Sequence, residues 1–198
     1  MALPNTVETP RGLELQAKLK AAGAADQSLK DWPMPTKDDY VVIGGIVVLF
    51  SYVEFNLRRL AEAFDHAGLL PHPWMGRAMD LDIGQVERAV QAAPVWSGPA
   101  DVEALKTLAE LRRVRNLVAH FAVRRFPSDE AFLFVTKNAK DYEHEFGAKP
   151  APGVAMTAVV EREQVVNALG HIQYIQNWLA QVVPEFEKRL FPAPNPLG

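Results

Sequence analysis

Arg115, Asn116 and His120 are the residues of this chain whose types and spacing could do chemistry together. A planar guanidinium can donate two hydrogen bonds to an oxyanion. An imidazole, with an ordinary pKa of about 6.5, takes or gives a proton near neutrality. Asn116 and His120 are four apart, so on a helix they stack along one flank. Arg115 is the exception to its own surroundings. It follows Leu108 by seven residues and Leu111 by four, which places it in the middle of the apolar stripe that those residues make with Val118. An arginine aimed into such a stripe is costly unless it is paired or lines a wet cleft. Breaks of pattern of this kind concentrate at functional sites. Each residue also has a structural alternative. Arg115 could pair with a buried carboxylate, with Glu54 the candidate, and His120 could cap its helix C-terminus, where positive charge is favoured.

Holding the three in place requires a helix, and the spacing supplies one. Val102, Leu105, Leu108, Leu111, Val114 and Val118 recur every three or four residues up to His120, with Ser97 or Asp101 available as its cap. Beyond Phe121 the period changes to two. Ala122 to Phe126 and Ala131 to Lys137 read as a hairpin around Pro127 to Glu130, and Val154 to Val160 as a third strand. Asn138 to Gly153 reads as a charged loop.

Upstream, Thr36 to Asp39 resembles a capping box opening a long helix to about Ala67, with Ile43, Ile46, Phe50, Val53, Leu57, Leu60 and Phe64 inward. Gly44-Gly45 within it implies close approach of another backbone. Asp80 or Asp82 starts a shorter helix that Pro94 stops. The last helix runs from Arg162 to Leu190, with a kink expected near Val183 from Pro184. Met1 to Pro35 forms an arm with one short helix after Thr9-Pro10, and residues 191–198 form a proline-rich tail. The expected architecture is mainly α: a helical bundle over residues 36–190 with a small three-strand insertion after the motif helix.

The run Arg115-Asn116-Leu117-Val118-Ala119-His120 resembles the signature of HEPN domains, in which an arginine, a polar residue, three further residues and a histidine close a helix. The resemblance implies a HEPN-like helical bundle and a metal-independent endoribonuclease that needs no cofactor. It implies a homodimer whose two motifs share one cleft, where the RNA 2′-hydroxyl attacks the adjacent phosphate. It assigns transition-state charge to Arg115, acid–base work to His120 and orientation to Asn116. Glu54 and Arg112 stand as supporting residues, and Arg113, Arg124 and Arg125 as RNA contacts. The family setting is toxin–antitoxin or defence, with an antitoxin protein as a partner. The competing expectation is a non-catalytic helical module that dimerises or holds a partner protein.

Composition bounds these readings. The 198 residues are 48% hydrophobic and 23% charged, ordinary for a globular chain with ample core. No cysteine is present, which excludes disulfides and thiolate metal sites and fits a cytoplasmic protein. Met1 to Pro10 lacks the basic-then-apolar pattern of a leader. Val41 to Val53, at 13 residues, reads as a buried helix too short for a bilayer, so no membrane partner is expected. The net charge of −3 argues against a generally cationic surface. Between Lys106 and Arg125, however, six basic residues stand against Glu110 alone, a local +5 that leaves −8 elsewhere. Such a patch would draw a polyanion to that place only. No metal site is expected: His66 and His72, and Glu143-His144-Glu145, lack ligand spacing. The four tryptophans are scattered and read as packing residues.

Overall fold

A computed structural model describes residues 10–21, 31–69, 99–127, 129–136, 138, 140, 143 and 156–191. The chain is mainly helical with one small three-stranded antiparallel sheet. In order the elements are α1 (Pro10–Ala21), α2 (Lys37–His66), α3 (Pro99–His120), β1 (Ala122–Arg125), β2 (Ala131–Thr136), β3 (Met156–Glu161) and α4 (Arg162–Leu190). The expected helix after Asp80 and most of the 138–153 loop and the tail lie outside the described residues. So do His72, Trp74 and Trp96.

The chain divides into two units, the first Met1–Val47 with Arg113–Leu169 and the second Val48–Arg112 with Gly170–Gly198. In the first, the sheet order is β1-β2-β3, with Arg125 opposite Phe132 and Ala131 opposite Glu161. The central strand β2 is buried on both faces, so its sequence is continuously apolar where an edge strand would alternate. Leu15 and Leu19 of α1 pack on Ala131, Leu133, Val159 and Phe126, and Trp32 meets Phe126 edge to face at 5.0 Å. Each fully buried leucine or phenylalanine of this layer contributes about 1.5–3 kcal/mol. Asp129, in the hairpin turn, receives Arg11 and also Lys18 (3.2 Å) from the same helix.

Helix α2 begins with the expected reciprocal cap: the Thr36 N–H donates to Asp39 Oδ2 at 2.8 Å, and the Asp39 N–H to Thr36 Oγ1 at 3.3 Å. A Cβ on Gly45 would sit 3.1 Å from Leu169 of α4, so the close approach is real there. At Gly44 a Cβ would meet nothing within 4 Å. In the second unit Phe50, Val53, Leu57, Leu60 and Phe64 of α2 are buried, as are Ile172, Ile175, Leu179, Val183 and Phe186 of α4. Phe64 and Phe186 meet edge to face at 4.7 Å. Gly68 (φ 67°) ends α2, its N–H bonding the Asp65 carbonyl while the Leu69 N–H bonds that of Phe64. Helix α4 continues through Pro184 to Leu190.

The expectation of a buried helix at Val41–Val53 needs correction. Helix α2 has 30 residues and is long and apolar enough to cross a membrane, and only a third of its most apolar stretch is buried. Val41, Val48, Tyr52 and Phe55 are more than half exposed. A helix has one inward stripe, and here the residues beside that stripe are apolar too.

Candidate functional site

Helix α3 carries the motif. Pro99 opens it, at a position where a missing N–H costs nothing. Leu108, Leu111, Leu117 and Val118 are buried and hold its inner face. Arg112, Arg113, Arg115 and Asn116 form a half-buried band beside them. Arg115 Nη1 donates to Asn116 Oδ1 at 2.8 Å, a bond between neighbouring residues that fixes the guanidinium plane. His120 is exposed on the last turn, where the Phe121 N–H closes onto the Leu117 carbonyl at 3.0 Å. The chain then enters β1 at Ala122, so Phe121 alone separates the imidazole-bearing turn from the sheet.

Arg115 and Asn116 therefore lie in the last turn but one of α3, and His120 follows Asn116 by one turn at its C-terminal end. There His120 is exposed to solvent. Arg113 lies on the same helix and belongs with them to the first unit, whereas Glu54 (half-buried on α2) and Arg112 belong to the second.

The hairpin arginines have neighbours that the sequence did not reveal. Arg125 Nη2 donates to Glu130 Oε1 at 2.8 Å, and its Nε lies 3.6 Å from Asp39 Oδ2. Arg162 Nε donates to the other Asp39 oxygen at 2.8 Å. Asp39, 1% exposed, thus joins the start of α2, the end of β1 and the start of α4. Burial pushes its carboxyl up, but hydrogen bonds from Arg162 and Thr36 and the charge of Arg125 outweigh that and hold it below the usual range. Arg125 is thereby committed to an ionic cluster inside the fold. Arg124, opposite Leu133 on the same strand, is half-buried.

A second polar region lies in the second unit. Arg59, Glu62, His66, Pro184, Glu187, Lys188 and Phe191 line an open groove of about 490 Å³, with the Phe191 ring edge-on to His66 at 6.2 Å. Arg59 and Glu187 form a forked pair across it at 2.5 and 3.1 Å, and Lys188 holds Glu185 at 2.8 Å. Of this set, His66 and Pro184 stood out in the sequence. Arg59, Glu62, Glu187 and Lys188 are ordinary charges on two helices far apart in the chain.

No family model, curated protein or solved structure matches this chain. A functional reading must accordingly come from the Arg115–His120 turn itself.

Proposed function

We propose that the chain is a HEPN-type, metal-independent endoribonuclease acting as a homodimer. The observation that carries this reading is the Arg115–Asn116 hydrogen bond one turn before an exposed His120 on the same helix. The bond supplies what a phosphate-handling arginine needs, a guanidinium plane fixed before substrate arrives. The acceptor is a neutral amide, so the bond itself leaves the charge intact.

In the reaction, the ribose 2′-oxygen forms a bond to the adjacent phosphorus and the bond from phosphorus to the 5′-oxygen breaks. Products are a 2′,3′-cyclic phosphate and a 5′-hydroxyl. One imidazole accepts the 2′-hydroxyl proton and the second copy's imidazole protonates the departing 5′-oxygen. Arg115 meets the charge that builds on the phosphorane oxygens. The nucleophile is internal to the RNA, so no activated water is required. A toxin or defence role, with an antitoxin protein as inhibitor, would follow from the family.

The test incubates purified protein with RNA in chelator and compares wild type with His120→Ala and Arg115→Ala. Chelator-resistant cleavage that both variants lose is expected. Absence of cleavage, or equal cleavage by all three, would overturn the proposal. The exposed apolar side of α2 favours one second reading, a non-catalytic module that holds a partner protein. In that case mutating Arg115 lowers the melting temperature and there is no activity to lose.

A further inference from the structure

Helix α1 is held on the sheet by few groups. Of its 12 residues only Leu15 and Leu19 are buried, and Leu13 is 47% exposed. The two leucines join Phe126, Ala131, Leu133 and Val159 in one hydrophobic cluster, with Trp32 and Val135 packed against it. Arg11 and Lys18 lie on the same face of α1 as the leucines. Both reach a single carboxylate, Asp129 in the hairpin turn, Lys18 at 3.2 Å. The two cations are 42% and 44% exposed, so salt screens these pairs.

The sheet separates that cluster from its other side. Successive residues of a strand face opposite ways, so Leu133 and its partner Val159 lie under α1. Phe132, Phe134, Ala158 and Val160 are buried on the opposite face. An antiparallel sheet tolerates water on one face while the other stays packed. Loss of α1 therefore leaves that second face as it was. A helix of about 12 residues is marginal in water by itself, so α1 leaves as a whole. The connector behind it has its own hold: the Arg125 N–H donates to the Pro33 carbonyl at 2.8 Å, and Trp32 meets Phe126.

We infer that α1 is a salt-sensitive cover, released as one unit while the sheet stays folded, and that its release bares the Leu133–Val159 face. The ribonuclease reading plays no part in this, since no RNA enters the observation or the test.

The chain has no cysteine, so one introduced thiol reports each face of the sheet in the full-length protein. Val159→Cys lies under α1, and Val160→Cys on the opposite side. A soluble disulfide reagent attacks Val159→Cys at least about tenfold faster, because it needs only the release of α1. Raising salt from about 0.1 M to about 1 M shortens the screening length from about 10 Å to about 3 Å and speeds Val159→Cys about three- to tenfold. Adding Asp129→Asn speeds it similarly at low salt and abolishes the response to salt. Ile46→Val, a change in the buried part of α2, speeds Val160→Cys about two- to tenfold and leaves Val159→Cys unchanged. Equal response of both thiols to Ile46→Val would overturn the cover, because α1 would then leave only when the whole fold opens. A Val159→Cys rate indifferent to salt and to Asp129→Asn would overturn its ionic control.

Discussion

Two sets of arginines in the first unit have opposite relationships to their surroundings. Arg125 and Arg162 converge on Asp39, a carboxylate almost wholly out of solvent, and join three elements. Arg115 gives an N–H to the neutral side chain next to it in sequence, and one turn on stands an imidazole open to water. The first arrangement neutralises charge to hold chain segments together. The second sets a cation against a neutral amide, one turn before an exposed imidazole. Their difference is that between arginine as fold and arginine as candidate chemistry, and mutations should separate the two.

The largest effect is expected at His120. His120→Ala should reduce RNA cleavage by about 10² to 10⁴, the range for a lost general acid or base, with an unchanged melting curve. A similar loss of melting temperature would erase the distinction. Asp39→Asn should do the reverse. It should lower unfolding free energy by about 2–3 kcal/mol in urea, at the lower end for a broken buried ion pair because both arginines are partly exposed. Cleavage should then fall only with the folded fraction.

The pH dependence sharpens the contrast. Asp39 has its carboxyl depressed in the fold, so its contribution is fully present above the ordinary carboxylate value of about 3.9. It is lost as pH falls through the lower folded value. The stability gap between wild type and Asp39→Asn should be constant from pH 7 to about 5 and close below pH 4. A gap that persists at pH 2 would mean that the carboxylate charge is not what holds the cluster. The smallest effect belongs to the forked pair in the second unit. Arg59 and Glu187 are each one-third exposed, so a double-mutant cycle should give a coupling of about 1 kcal/mol or less.

Local signals were legible in the sequence and distant pairings were not. The Thr36–Asp39 cap, the period change at Phe121, the hairpin and the limits of α4 all follow from neighbours within a few residues. The same Asp39 bonds Arg162, 123 positions away, and no periodicity encodes that partner. Helix α2 shows the other limit. Its inward stripe could be read off, but apolar residues beside that stripe made Val41 to Val53 look buried, and only three-dimensional packing shows which side is bare. At the candidate site, residue types and spacing indicated one helix end with Asn116 and His120 on a common flank. The bond from Arg115 to Asn116 depends on rotamers, which spacing does not fix.

The tight junction between α3 and β1 ties the imidazole to the far end of the chain. A single phenylalanine lies between His120 and a ribbon that the first helix clamps through Leu15, Leu19 and the Asp129 contacts. Whatever loosens that N-terminal brace, be it proteolysis or a bound protein, reaches the His120 ring across a single residue.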